Sequence, residues 1–276
     1  MIWRAIWAIG AAVLCAVPGV AQDKPLQMLE SNFQAQGWEA VGRIDIGSNG
    51  FCTGALISES LVLTAAHCLF DRDSGARLAD DQILFRAGFR NGSAAAEGRV
   101  YRSVVHPQYA PLGGASMNNV SHDLALLELL HPIRNLGVIP FEVFSEPRQG
   151  DQVGVVSYGR ERLQAPALQE RCSVLDRDGS GVLLMSCSVD FGSSGAPVFA
   201  MSHGRPHIVS VVSAKGSAHV AGQLADVSLG VSLGARLDTL RTALAARDWR
   251  FIQPPTADSQ EPRVMSSGGG ARFMRP

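Results

Sequence analysis

The sequence has no surplus of either charge: its 276 residues carry 24 Lys+Arg against 25 Asp+Glu, a formal net charge of -1. That balance offers nothing to a polyphosphate or an anionic lipid surface, so neither nucleic acid nor a membrane face is expected as a partner. Cys-x-x-Cys is absent, and so is any close Cys-His ligand spacing of the kind that holds zinc. No metal site and no cofactor are therefore expected. Helix-forming charge runs are few, and the one extended apolar run, Ala5 to Val17, is too short to span a bilayer comfortably.

What is present suggests strands and turns. Hydrophobic content of 46% is enough to bury a large core, as one all-β unit or two small domains. Gly is plentiful at 29, and short apolar runs such as Ile83 to Phe85 and Val153 to Val156 alternate with turn residues. The N-terminus reads as an export leader over residues 1–21: Arg4 is the positive end, Ala5 to Val17 the apolar stretch, and Gly19-Val20-Ala21 the small-residue cleavage site. Leu14 before Cys15 is too large for lipoprotein processing. Removal of the leader also removes Cys15, which leaves Cys52, Cys68, Cys172 and Cys187 as an even set. Four cysteines allow three pairings, and partners about fifteen positions apart favour Cys52 with Cys68 and Cys172 with Cys187. Each bridge of that loop length stabilises by roughly 3 kcal/mol in the chain-entropy model.

Along the chain, residues 22 to 38 are polar and irregular, a spacer or short propeptide. Strands are expected at Gly42 to Ile46, Cys52 to Ser58, Leu61 to Thr64, Ile83 to Ala87 and Gly98 to Val105, with Asn91-Gly92 as a turn. Pro107 to Val120 reads as a long surface loop, and Leu124 to Leu129 as a buried strand. After a linker at Pro140 to Gly150, further strands are expected at Gln152 to Tyr158, Gly181 to Ser186, Ala196 to Ala200 and His207 to Ser213. One helix near the end is expected to be capped by Asp238 and to bury Leu240, Leu244 and Ala245. Beyond Phe251 the chain is poor in apolar residues and reads as a disordered tail.

Three islands carry chemistry: Thr64-Ala65-Ala66-His67-Cys68, Ser121-His122-Asp123-Leu124-Ala125-Leu126 and Asp190-Phe191-Gly192-Ser193-Ser194-Gly195-Ala196-Pro197. A serine hydroxyl is a weak nucleophile until an imidazole takes its proton, and the imidazole needs a carboxylate to hold its tautomer. Ser194, His67 and Asp123 supply those groups. The glycine spacing favours Ser194 over its neighbour Ser193, and Gly192 and Gly195 let the backbone turn tightly. The backbone N–H groups of Gly192 and Ser194 are assigned to an oxyanion hole. Asp190 is read as a carboxylate that orders this loop.

The islands and their surroundings resemble the secreted trypsin-like serine peptidases of the chymotrypsin fold, nearest their bacterial, glutamyl-endopeptidase-like branch. The resemblance lies in Cys52 to Ile57 followed by Leu61 to Cys68, in His106-Pro107-Gln108-Tyr109 leading to Asp123, in Gly192 to Pro197, and in Gly230 to Leu237 with the helix. It implies an all-β fold of two six-stranded antiparallel β-barrels with a short C-terminal helix. The first, over 39–140, carries His67 and Asp123; the second, over 141–252, carries Ser194; residues 253–276 are the tail. It also implies hydrolysis of peptide bonds in a peptide or protein substrate through an acyl-enzyme, by a monomer that is secreted or periplasmic.

The departures from that family are informative. Ser193 stands where animal digestive members have Asp, and no Ile-Val-Gly-Gly sequence lies upstream. Activation by an N-terminal ion pair is therefore unsupported, and leader removal, with trimming of residues 22 to 38, is expected to suffice. Ser188 occupies the pocket-base position, which leaves Arg or Lys without a charge partner, and Val212 stands where glutamyl-specific relatives have His. The strand through Val212, Ser213 and Ala214 is expected to offer main-chain groups to an extended substrate, with Lys215 as its neighbour. An α/β-hydrolase is disfavoured, because Ala196 breaks Gly-x-Ser-x-Gly and the residue order is wrong. The competing reading from another class is a catalytically silent secreted pseudopeptidase acting as a binding module.

Overall fold

The computed structural model describes residues 23–47, 50–114, 116–144, 147–220, 222–246 and 272–274. The leader over 1–21 and most of the tail lie outside the described residues. A two-residue strand β1 (Gln27–Met28) and one helical turn α1 (Asn32–Ala35) come first. They are followed by β2 (Val41–Ile46), β3 (Phe51–Ser58), β4 (Leu61–Thr64), β5 (Ile83–Ala87), β6 (Ala96–Val105) and β7 (Ala125–Leu129). These six close a barrel in the order β2-β3-β4-β7-β6-β5. Alternation does the sorting: in β5, Ile83, Phe85 and Ala87 are buried while Leu84 and Arg86 face outward. Beyond β5, Asn91 and Gly92 adopt φ 47° and 82°. Arg90 and Ser93 exchange hydrogen bonds of 2.7 and 2.8 Å around them, the geometry of a two-residue hairpin turn.

The second half holds β8 (Gln152–Gly159), β9 (Arg162–Arg177), β10 (Val182–Met185), β11 (Pro197–Ser202), β12 (Arg205–Val220) and β13 (Gln223–Ser232). Antiparallel pairings run right round them, from β8 to β9, β10, β13, β12, β11 and back to β8. Two short strands join this ring from outside: β1 pairs with β9, and β14 (Arg272–Met274) pairs with β12. The two expected barrels are therefore present, the second with two added strands.

The sequence reading needs correction at several elements. Residues 23–38 are no loose spacer. Lys24 and Leu29 donate backbone hydrogen bonds of 2.9 Å to Arg171 and Pro166 on either side of β1, and Leu29 and Ala35 are buried. The loop after Pro107 contains a helix, α2 (Met117–Ser121), whose N-cap Ser116 accepts the Asn119 N–H. The buried Asn119 amide braces the loop by bonding Ala110 and Gly114 carbonyls at 3.0 and 2.8 Å. The last helix, α3, spans Gly234–Ala246, so Asp238 lies inside it and caps nothing; it faces Arg241 instead. Its buried face is Leu237, Leu240, Ala243 and Leu244, with Ala245 exposed, and it packs back onto β6 and β7. Of the tail, Arg272–Met274 form β14 rather than irregular chain.

One hydrophobic core runs through the first barrel into the second, from Leu63 and Phe85 to Phe199, Ile208 and Leu240. Between the halves Phe199 meets Trp38 and Phe141 edge-on, with ring centroids 4.9 and 4.7 Å apart. The Tyr158 hydroxyl donates to the Phe89 carbonyl at 2.9 Å, and burial pushes its phenol pKa up. Each fully buried Leu, Ile or Phe stabilises by roughly 1.5–3 kcal/mol relative to exposure, so this shared core fixes the halves against each other. No described helix is long and apolar enough to cross a membrane.

Candidate functional site

Two side chains meet because β4 and β7 are paired. The register sets Thr64 opposite Ala125, so the chain leaving β4 and the chain entering β7 lie at one end of the barrel. Past β4, a 3-10 turn (Ala66–Leu69) presents His67, and a disulfide from Cys68 to Cys52 ties that turn to β3. Asp123 ends the segment after α2. Its carboxylate accepts the His67 backbone N–H at 2.8 Å and His67 Nδ1 at 2.7 Å. Ser213 of β12 donates its hydroxyl to the same oxygen as Nδ1, so both barrels grip one buried carboxylate. With Nδ1 donating to Asp123, the neutral ring keeps its lone pair on Nε2. Nε2 is buried and has no hydrogen-bond partner among the described residues.

The Gly192–Pro197 loop is seated against the same turn. Gly192 and Gly195 take φ 97° and 78°, a region costly for other residues. Space forbids a side chain as well: a Cβ on Gly195 would fall 2.1 Å from Thr64 Oγ1 and 2.3 Å from the Thr53 carbonyl, and one on Gly192 would fall 2.3 Å from the Phe51 ring. Thr53 is the bracket. Its N–H donates to the Ser194 carbonyl at 2.8 Å, and its hydroxyl donates to the Gly192 carbonyl at 2.7 Å while accepting the Tyr158 N–H at 3.1 Å. Ser194 is thus bonded through its carbonyl to Thr53, and Gly195 after it is packed against Thr53, Thr64 and Ala65, the end of the strand pair from which the His67 turn leaves. The Phe191 carbonyl accepts the Arg160 N–H at 2.7 Å, which turns the Gly192 N–H the other way across a planar trans peptide. That N–H meets no protein acceptor among the described residues.

The two serines differ sharply in surroundings. The Ser193 hydroxyl accepts the Asp190 N–H at 3.1 Å and reaches Ser157 Oγ and the Tyr158 carbonyl, each at 3.1 Å. It fastens the loop from within. Asp190 contributes its main chain to this knot, and its carboxylate attracts the Arg162 guanidinium, whose pKa is lowered by burial.

Other expected site residues are placed as follows. The backbone N–H and C=O of Val212 are both taken, by Ala196 and Gly195 at 2.9 and 2.8 Å, so Val212 positions the loop and offers neither group to a ligand. Ala214 is buried against Val182 and Leu229, and Ser213 is turned to Asp123. Ser188 is exposed, its N–H bound to Gln169 Oε1 at 2.7 Å, and with Val189, Lys215, Gly216, Asp226 and Val227 it lines a cavity of about 250 Å³. Phe191 gathers three cations, Arg160 at 4.4 Å and Arg72 and Lys215 at 5.9 Å from its ring centroid, which makes this lip of the site basic. The second expected disulfide, Cys172–Cys187, supports the wall leading to Ser188.

Sequence reasoning overlooked Thr53, the Ser157–Ser193 contact and the Ser213–Asp123 bond. His106, named from sequence only as part of the segment leading to Asp123, is buried with its ring centroid 4.7 Å from that of His122. Burial first, then His122 and Arg236, push the His106 pKa down to about 4. Cys52, Cys68 and His67 bring potential metal ligand atoms within 4.8 Å of one another. The sulfurs there are joined as a disulfide, which leaves no thiolate to ligate.

Residues 52–207 match the trypsin-like peptidase domain family. Glutamyl endopeptidase of Bacillus licheniformis is 27% identical over 176 residues, 63% of this chain and 53% of that protein. Human kallikrein-10 is 38% identical over 89 residues, 32% of this chain and 30% of that protein. Human mannan-binding lectin serine protease 1 is 34% identical over 128 residues, 41% of this chain and 18% of that protein. The chain thus spans about half or less of the length of these relatives. Among solved structures, a Glu endopeptidase in complex with MPD superposes with TM-score 0.62 at 17% identity, covering 82% of this chain and 100% of that one. A thermostable serine protease, AL20, from an extremophilic microorganism gives 0.58 at 17% identity, covering 76% and 99%. At such identity these two likenesses establish the fold.

Proposed function

The chain belongs to the trypsin-like peptidase domain family, and on that premise we propose that it is a secreted serine endopeptidase working through His67, Asp123 and Ser194. The observation that carries this reading is the His67 ring, held through Nδ1 by Asp123 at 2.7 Å with Nε2 left as an unpartnered base. In the proposed reaction His67 Nε2 takes the Ser194 proton as Ser194 Oγ bonds to the substrate carbonyl carbon. The carbonyl oxygen becomes an oxyanion facing the Gly192 and Ser194 N–H groups. His67 then gives its proton to the leaving amine as the C–N bond breaks, and water repeats the sequence on the acyl-enzyme. Asp123 stays ionised and stabilises the imidazolium, while Ser213 and the His67 N–H hold the carboxylate in place.

Export is part of the proposal, supported by the leader-like N-terminus and two disulfides. The substrate is a peptide or protein chain, and the cavity at Ser188 receives the side chain preceding the cleaved bond. The test is labelling of the oxidised, folded protein with a fluorophosphonate, followed by mapping of the adduct. The label is expected on Ser194. A folded protein that takes none would instead be a silent binding module.

A further inference from the structure

β12 is paired unequally on its two sides. β13 accompanies it to the end, with Val220 opposite Gln223, whereas β11 leaves it after Pro197 opposite Val211. At Val212 the Ser194 loop takes over, through the Gly195 and Ala196 bonds already described. From Ser213 onward that side of β12 receives no strand from either barrel among the described residues. That edge starts at the residue that holds Asp123 and continues through the half-buried Lys215, Gly216 and Ser217, which line the cavity beside Ser188. A sheet edge presents unpaired N–H and C=O groups and takes up an extended peptide by strand addition. Here it already holds one: β14 lies antiparallel on it, with Arg272 opposite Ser217, Phe273 opposite Gly216 and Met274 opposite Lys215. That strand enters over Ser217 and advances towards Ser213, along the line from the cavity to Asp123.

We propose that the C-terminal segment Arg272–Met274 is a competitor in cis, holding the edge of β12 that a substrate backbone must use and so restraining the protein until the segment is displaced or cut away. An edge pairs with one strand at a time, so occupancy by β14 and by an extended substrate at Lys215–Ser217 exclude each other. This inference rests on the peptidase reading for its consequence, though the pairing itself is independent of turnover. Tethering explains how three residues suffice: a segment carried on the same chain acts at an effective concentration in the millimolar range, which offsets a weak intrinsic affinity.

The test compares the full chain with one ending at Ala271, and with full-length Arg272→Pro and Phe273→Pro, which keep the chain length if the truncated form folds poorly. In peptide hydrolysis, loss of β14 is expected to lower KM by about tenfold with little change in kcat. A second arm reads the edge without catalysis, using the Ser194→Ala background and a fluorescein-labelled synthetic peptide of residues 268–276. Fluorescence anisotropy is expected to show binding to the truncated form and little to the full chain. Because an antiparallel strand bonds its neighbour through alternate residues, N-methylation of Phe273 and N-methylation of Arg272 with Met274 should weaken that peptide unequally. Binding that is equal in both forms, or absent from both, overturns the inference, as does unequal binding with equal sensitivity to the two methylation patterns. If the truncated form alone binds the peptide in the methylation-sensitive way but takes no fluorophosphonate and cleaves nothing, the edge assignment stands and the peptidase reading fails.

Discussion

Ser193→Ala and Ser194→Ala each remove one oxygen from adjacent residues and are expected to fail in opposite ways. The Ser193 hydroxyl serves one backbone N–H, from Asp190, and contacts Ser157 Oγ and the Tyr158 carbonyl, all at 3.1 Å in a buried setting. A hydrogen bond of this kind contributes about 1 kcal/mol net, and a buried partner left unsatisfied costs about 1–3 kcal/mol. Removal should therefore destabilise by about 2–3 kcal/mol, which for a domain of this size lowers Tm by about 4–8 °C. Turnover should fall by no more than about tenfold, because one unit of loop misplacement worth 1.4 kcal/mol is what tenfold represents. On the proposed mechanism Ser194→Ala removes the bond-forming atom, so turnover should drop by about four to six orders of magnitude while Tm moves by about 1–2 °C or less. Thermal melts, peptide hydrolysis and fluorophosphonate labelling on both variants at one pH separate the cases. A label that survives in Ser194→Ala and disappears in Ser193→Ala would refute the assignment.

Gly195→Ala should destabilise by at least about 3 kcal/mol and abolish labelling, since a left-handed residue costs roughly 1–2 kcal/mol before any clash is counted. Gly204→Ala is the matched control: its φ of 76° is similar, but a Cβ there meets nothing within 4 Å, so only the backbone cost of about 1–2 kcal/mol should appear in denaturant melts. His106 makes a pH prediction. Its folded pKa of about 4 lies below the ordinary 6.5, so as pH falls through that interval the unfolded chain takes up a proton that the folded protein resists. Stability should thus be fully present above about pH 6.5 and decline towards pH 4. His122, also shifted down by burial, adds in the same direction. Denaturation midpoints at pH 7 and 4.5 are expected to differ less in His106→Gln than in the parent; an unchanged difference would remove His106 as the cause.

First-barrel strands were legible because their signal is local. The stretch Leu61 to Thr64 and the stretch Ile83 to Ala87 match β4 and β5 to the residue, and Asn91-Gly92 needs no partner to announce a turn. β9 and β13 escaped because pairing, rather than composition, makes them strands. β9 carries Pro166 in its first half and the exposed Glu170-Arg171 midway, and it is held by β8, β10 and β1 at once. The helix α3 opens at Gly234, where the Leu233 carbonyl receives the first turn's N–H groups, so Asp238 looked like a cap only while that tertiary start was invisible. His67 and Asp123 could be named from their flanking residues. The grip of Ser213 on Asp123 and the double service of Thr53 could not, because each joins positions 90 to 139 residues apart.

The N-terminal strap has a consequence for how the chain comes to be made. Gln169 bonds the Lys24 carbonyl from 145 positions away, and β1 completes itself only on β9. During synthesis residues 24–29 therefore wait, without a docking surface, until most of the second barrel has emerged. Contacts of that sequence separation form slowly, which makes the strap a late event, added after each barrel has its own hydrogen-bonded ring. A chain interrupted before β9 is left with Leu29 and its neighbours uncovered, giving quality-control proteases a marker of incomplete assembly at the end of the chain that appeared first.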